Sequence, residues 1–318
     1  MSAQVKCRGY SGPLQRVLTD FGADQSFGRA VEKVREHYGI EVPASRVRLI
    51  TEAHGAQLLA QQQEQRAQEL GPEPGVGWLI TEMDGSMVPI VELTPEGQRQ
   101  LRWEEARLCL AHEPGSVTPR FGATLGAAAE AGAVWLDCVK RAGGGRQTRL
   151  HCVGDAAAWI LEQAAQRFGE RAYYLLDFYH VSEYLAAASA VLAPVQPRAW
   201  LAAQQARLKE NRAAEVMEAL RPGLESAAVA DEAAPVRVCF RYLSNHPDCL
   251  DYATARAAGL PIGSGEIESG HRYVVQERLK IAGAWWKREH AEKMLALRVA
   301  RGNGEWLSYW LNRCQAAA

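Results

Sequence analysis

Apolar residues recur at helical spacing from Ser26 to about Gln63. Phe27, Val31, Val34 and His37 fall on one face, Tyr38-Gly-Ile-Glu-Val-Pro-Ala-Ser interrupts, and Val47 and Ile50 open a second helix. Helix, short Gly/Pro turn, helix is the outline of a helix-turn-helix, an outline that many plain helical hairpins share. Gly71-Pro-Glu-Pro-Gly-Val-Gly77 then breaks the pattern and marks a boundary.

Beyond it the period shortens to that of strands. Trp78-Leu-Ile-Thr-Glu-Met and Met87-Val-Pro-Ile-Val flank Asp84-Gly-Ser, and Trp103 to Ala111 alternates as a half-buried strand does. Residues 121–142 predict a helix, Leu150 to Asp155 a strand, Ala156 to Phe168 a helix, and Tyr173 to Phe178 a strand. Three strands, a helix, a strand, a helix and a strand imply an α/β layer architecture. From Val181 to about Ala258 strand signals vanish, and Pro194, Pro197, Pro222 and Pro235 divide Ala-rich helical segments. The chain closes with helices over Glu266 to Trp310. The expected units are 1–75 (helical), 76–180 (α/β), 181–258 (an all-α insertion) and 259–318 (closing helices).

Where the insertion rejoins, Gly259-Leu-Pro-Ile-Gly-Ser-Gly-Glu-Ile-Glu-Ser-Gly-His-Arg272 predicts a helix starting near Glu266 and capped by Ser264. Gly263 and Gly265 let the chain turn sharply or approach another backbone. Acids in a first turn are favoured by the helix dipole and commonly do nothing else. In an α-helix Glu268, His271, Arg272 and Gln276 lie near one face, with Glu266 pointing elsewhere.

The 318 residues carry a net charge of −1, which gives no general support for a nucleic-acid partner, so local charge has to carry that argument. The seven cysteines, from Cys7 to Cys314, are odd in number and never form C-x-x-C. Neither a disulfide framework nor a zinc ribbon is indicated. No signal peptide or membrane span is legible, and a cytoplasmic protein is expected.

Three acids stand out by position. Asp84 and Asp155 close predicted strands, where ligand sites of α/β sheets collect, and Glu266 or Glu268 follows the insertion. Singly, Asp84-Gly85 is an ordinary turn dipeptide and Asp155 an ordinary helix cap. Together, three carboxylates from separate elements persist side by side only if cations neutralise them. Paired Mg²⁺ or Mn²⁺ ions suit such oxygen ligands, and the chemistry they serve is phosphoryl transfer.

Asp84-Gly-Ser, Val153-Gly-Asp-Ala-Ala-Ala-Trp-Ile160, Leu176-Asp-Phe-Tyr-His-Val-Ser-Glu-Tyr-Leu185, Pro261 to Arg272 and Gly283-Ala-Trp-Trp-Lys287 occur in an order that resembles bacterial insertion-sequence transposases of the ISKra type. These are DDE transposases with an RNase H-like catalytic core. The resemblance covers nearly the whole chain, from about Cys7 to Trp310. It implies that Asp84, Asp155 and Glu268 are the catalytic, metal-holding acids, with two Mg²⁺ or Mn²⁺ ions. It further implies cutting at insertion-sequence ends, transfer of the freed 3′-OH strand to target DNA, a dimer or higher oligomer on double-stranded DNA, and a nucleoid-associated location. His180, in a string resembling Asp-x-x-His, is then a phosphate or carboxylate partner, or a structural histidine. This chain departs from the family at Gly154-Asp-Ala-Ala, where relatives carry Gly-Asp-Gly-Ala. The change is mild if Ala156 needs no positive φ. Relatives with a longer cysteine-bearing N-terminus leave only Cys7 as a counterpart here.

Local charge agrees with a DNA partner. From His271 to Arg301 eight basic side chains face Glu277, Glu289 and Glu292, a local net of +5. Of these Arg272, Arg278, Lys280, Lys287 and Arg288, with His271, are the candidate phosphate contacts. Trp285 and Trp286 are candidates for stacking on bases, at least one of them being core. The competing readings are a catalytically silent DNA-binding relative, a metal-dependent nuclease of the same fold, and a phosphatase-like enzyme with Asp84 as nucleophile. The last lacks a second aspartate two residues on, where Ser86 stands.

Overall fold

The computed structural model describes residues 9–94 and 96–316, with side chains through Arg313; Cys7 and the Cys314 side chain lie outside them. Three helices open the chain: α1 (Gly12–Asp24), α2 (Phe27–Tyr38) and α3 (Ala44–Glu64). The α2–α3 pair matches the expected outline, with Ser26 capping α2 through Arg29 N and Gly39 ending it at φ +65°. α1 had no clear signal in the apolar spacing. Leu18 from α1, Ala30 and Val34 from α2, and Val47 and Ile50 from α3 form a small core of their own. α3 then runs along α13 (Arg288–Gly302) so closely that a Cβ on Gly55 would lie 2.5 Å from the Lys293 carbonyl oxygen.

The sheet has five strands: β1 (Trp78–Leu93), β2 (Arg99–His112), β3 (Arg120–Thr124), β4 (Arg149–Gly154) and β5 (Ala172–Leu176), in the order β3-β2-β1-β4-β5. β2 pairs antiparallel with both β1 and β3, whereas β4 runs parallel to β1 and β5 parallel to β4. Helices α4 (Ala128–Arg141) and α5 (Ala158–Phe168) cover one face. There Leu79, Met83, Cys109 and Cys152 pack against Trp135, Val139, Ile160 and Phe168. The closing helices cover the other face, where Val88, Ile90, Leu108 and Leu110 meet Val274, Leu279, Leu295 and Leu297. This is the mixed RNase H-like α/β sheet flanked by helices that the sequence led us to expect.

Two strand assignments differ. Asp84-Gly-Ser is no turn: β1 continues through it, paired with β2 from Ile80↔His112 to Leu93↔Arg99. Fourteen cross-strand pairs outweigh the local turn preference of Asp-Gly. Gly85 is needed for space instead, since a Cβ there would lie 2.0 Å from Glu105 Oε1. Residues 121–124, expected in a helix, belong to β3, because Leu108, Cys109 and Leu110 of β2 offer Phe121 to Ala123 a ladder.

Between Phe178 and Ala257 the regular elements are all helical: α6 (Phe178–Leu192), α7 (Pro197–Lys209), α8 (Ala213–Leu220), α9 (Pro235–Ser244) and α10 (Tyr252–Ala257). They share a core with the end of β5. The chain then returns as α11 (Gly265–Gly270), a π-helical segment (His271–Gln276) and the short α12 (Glu277–Leu279), before α13 and α14 (Trp306–Ala316). Among the described residues the five cysteines are free thiols, and no helix is long and apolar enough to cross a membrane.

Candidate active site

Parallel pairing carries β1 and β4 to Glu82↔Val153, and β4 and β5 to Gly154↔Leu176. Asp84 lies two residues past the first pair, as does Asp155, and Asp177 lies one residue past the second. Because side chains alternate, Glu82, Asp84, Val153, Asp155 and Asp177 belong to one face, the face that α11 covers. Two aspartates seen from sequence as strand-end acids thus become neighbours on adjacent strands.

Asp84 is half-buried. Burial raises its carboxyl to about 6, with the Gly85 N–H opposing and the carboxylates of Asp155, Glu105 and Glu268 adding to the rise. The three expected acids therefore share one electrostatic neighbourhood. Glu266 does not join them. It pairs with His112, Oε2 to Nε2 at 2.7 Å, at the far end of β2.

α11 is brought to the sheet by two devices. The buried Glu82 Oε2 accepts a hydrogen bond from Ile267 N at 2.7 Å. At the other end of the helix a Cβ on Gly270 would meet the Phe121 ring at 2.9 Å and Leu108 at 3.1 Å, so only glycine allows this approach. Ser264 does not cap α11 as expected. Its hydroxyl and its N–H both donate to Asp177 Oδ2, while Asp177 Oδ1 accepts from Tyr179 N and His180 N. Asp177 is thus fully engaged in tying α6 to the turn before α11.

The single face expected for Glu268, His271, Arg272 and Gln276 does not form. A π-turn begins at His271, and that side chain turns inward, 3 % exposed, with Nε2 3.4 Å from Asp84 Oδ2. Burial lowers its pKa to about 4, so it is neutral at pH 7. Glu268, Arg272 and Gln276 stay exposed. His271 is therefore a neighbour of Asp84 and not a surface phosphate contact.

Other expected contacts divide sharply. Arg278 is buried, its guanidinium stacked between the rings of Phe27 (4.8 Å) and Trp286 (4.7 Å), with Nε donating to the Gly22 carbonyl. It fastens the N-terminal helices and cannot reach DNA outside. Arg288 is held by Glu104 and Glu292. Arg298 and Arg301 pair with Asp20 and Asp24, and Arg298 also with Glu277 of the same stretch, so with Glu104 three acids from elsewhere in the chain offset three of the local +5. Trp286 is buried and bridges to β1, while Trp285 is 58 % exposed. Arg272 and Lys287 are exposed, and Lys280 Nζ reaches Ser86 Oγ at 3.3 Å, on the Asp84 face. His180 packs edge-on against Tyr184 and Tyr242, and the carboxylate beside it is Glu183, at 3.7 Å, not one of the three acids.

One residue at the site carried no sequence signal. Tyr242 of α9 donates to the Asp155 carbonyl oxygen at 2.7 Å, clasping the second aspartate from the insertion. Ala156 has φ +56°, so the alanine that departs from the Gly-Asp-Gly pattern occupies left-handed backbone. The substitution is not on neutral ground; such a conformation costs about 1–2 kcal/mol relative to glycine.

No three His, Cys, Asp or Glu side chains among the described residues are close enough together to hold a metal ion as they stand. The carboxylates that act on Asp84 are those of Asp155, Glu105 and the exposed Glu268, oxygen donors of the kind hard divalent ions take, with a nitrogen of the neutral His271 beside it.

Comparison with known proteins places the chain in a sequence family. The model of the Uncharacterised protein family (UPF0236) matches residues 23–310. A relative from Streptococcus gallolyticus, "UPF0236 protein in vanSb 3'region", is 30% identical over 140 residues, 44% of this chain and 30% of that protein. The chain thus aligns with less than a third of the relative's own length.

Proposed function

The chain belongs to the UPF0236 family, and from that premise we propose that it is a DDE-type DNA transposase, cutting at insertion-sequence ends and joining the 3′-OH strand to target DNA. The observation that carries this reading is the electrostatic coupling of Asp84, inside β1, with Asp155, just past the end of the adjacent β4, and with Glu268 on the helix that returns from an all-α insertion. A carboxylate whose proton affinity is raised by neighbouring carboxylates, as that of Asp84 is, is an arrangement a cation relieves. Two Mg²⁺ or Mn²⁺ ions, when bound by Asp84, Asp155 and Glu268, supply the charge neutralisation and nucleophile activation that phosphodiester chemistry needs.

The chain's own groups have separate parts in this reading. Asp84 and Asp155 form the fixed side of the site, being anchored in the sheet. Glu268, exposed on α11, is the adjustable third ligand, and Glu82 holds its helix in place through Ile267 N. Neutral His271 shields Asp84 from the interior without adding charge. Lys280, Arg272 and Lys287 meet the DNA backbone, and paired copies of the chain handle two ends.

The test is strand cleavage and joining on a supercoiled plasmid that carries the DNA flanking this gene, with Mg²⁺ or Mn²⁺. Joined products that vanish in Asp84→Asn support the reading. Cleavage without joining would establish a nuclease, and DNA binding without either a silent relative.

A further inference from the structure

A cleft of about 1050 Å³ lies between the start of α2, the face of α3, the far end of β1 and the segment 281–290, and none of Asp84, Asp155 and Glu268 lines it. Its chemistry differs from that of the acid site. Phe27, Trp285 and Trp286 supply aromatic surface, and Trp285 is 58 % exposed. Arg278 lies in the wall, 2 % exposed, and its Nη2 has no hydrogen-bond partner. A buried guanidinium nitrogen without an acceptor costs free energy unless something supplies one. Both faces of that guanidinium are taken by Phe27 and Trp286 and Nε by Gly22, which leaves its terminal nitrogens as the donors still to be answered. Nearby Glu52, 8 % exposed, pairs with His290 Nδ1 at 3.0 Å and adds an acceptor to the same wall. Arg48, Arg99 and Lys287 are exposed at the rim.

Aromatic surface, a fixed donor beside a fixed acceptor, and a cationic rim match three parts of one kind of ligand: the face of a nucleobase, its hydrogen-bonding edge, and its phosphate. A purely apolar ligand would leave Arg278 Nη2 unanswered. A bare phosphate would leave the aromatic surface unused. We propose that this cleft binds a single unstacked nucleotide, its base against Trp285 and its edge toward Arg278 and Glu52, with its phosphate at Lys287 and Arg99. The nucleotide is either one unpaired position of a DNA strand or a free nucleotide. Only the first of these rests on the DNA reading above; the cleft's chemistry is the same for both.

The experiment compares three probes on the full chain: a duplex with one unpaired 2-aminopurine, the same duplex fully paired, and free 2-aminopurine deoxyribonucleoside 5′-monophosphate. Wild type is expected to prefer the unpaired duplex by about tenfold, the scale of one base–aromatic stack. Trp285→Ala should abolish that preference and leave the melting temperature unchanged, the side chain being mostly exposed. Lys287→Ala should weaken both duplexes and lower the salt slope by about one. Binding of the free nucleotide alone, lost in Trp285→Ala, supports the cleft with the free source. Equal affinity for both duplexes with no free-nucleotide binding overturns the inference, as does a preference that survives Trp285→Ala. If the cleft fails while joining activity persists, the proposed function stands without it. If the unpaired duplex is preferred yet no DNA is cut or joined, the cleft stands and the proposed function falls.

Discussion

Glu82 Oε2 accepts the Ile267 N–H at 2.7 Å, joining the strand of Asp84 to the helix of Glu268 through a buried side chain. Burial is the main cause that pushes this carboxyl up to about 8, from an ordinary 4.5; the Ile267 N–H opposes it, and the Glu266, Asp177 and Glu268 carboxylates add to it. Folding therefore takes up a proton between pH 4.5 and 8, so this group's stabilisation is intact below 4.5 and is lost as pH rises toward 8. Glu82→Gln keeps the acceptor and removes the titration. The variant should gain stability over wild type at pH 8 and lose that advantage near pH 5, as followed by denaturant unfolding. Parallel pH profiles would contradict the assignment.

Asp84→Asn, Asp155→Asn and Glu268→Gln should each reduce cleavage and joining by about 10³-fold or more, acting as a unit. Glu266→Gln, whose partner is His112, should cost far less. None of the first three should lower the melting temperature, because each removes like-charge repulsion. Equal effects of Glu266→Gln and Glu268→Gln would reassign the third acid.

At Ala156, φ +56° sets two effects against each other. Glycine relieves about 1–2 kcal/mol of left-handed strain, but loses a buried methyl group and gains freedom in the unfolded chain, together worth about as much. Ala156→Gly should therefore stay within about 1 kcal/mol of wild type. Ala156→Val, β-branched and buried, should cost about 3 kcal/mol or more in chemical denaturation.

His54 is buried between α1 and α14, its ring nitrogens 3.1 Å from Gln15 Oε1 and 2.7 Å from the Tyr309 hydroxyl. Burial, with Arg313 adding to it, lowers its pKa from 6.5 to about 3. The unfolded chain thus binds the proton first, and stability is lost as pH falls below 6.5. Between pH 6.5 and 5 the loss is about 2 kcal/mol, at 1.36 kcal/mol per pH unit. His54→Gln should be less stable at pH 7.5 but nearly flat across that window in thermal melts.

Arg278 and Lys287 looked alike as basic candidates and should behave oppositely. Arg278→Ala removes the buried link between Phe27, Trp286 and Gly22 and should destabilise by about 3 kcal/mol. Lys287→Ala should leave folding intact and weaken DNA binding evenly across sequences. Denaturation midpoints measured beside DNA titrations separate the two.

Asp155 was legible because β4 is buried on both faces and announces itself as a short apolar run that stops at an acid. The same period rule failed at Asp84, where a local turn dipeptide competed with pairing to residues more than twenty positions away. β3 was missed for a related reason. Arg120-Phe-Gly-Ala-Thr has little strand character of its own and is a strand because β2 lies beside it.

Local periodicity and turn chemistry in the chain were enough for the α/β class, the helical insertion, the strand that stops at Asp155 and the acids of the returning helix, but not for α1, β3 or the run of β1 through Asp84. Tertiary structure alone decided that Asp84 and Asp155 are side by side, that His271 faces inward, and that Arg278, Arg288, Arg298 and Arg301 spend their charge within the protein. Register, burial and charge pairing are set by partners distant in the chain, and no local pattern records who those partners are.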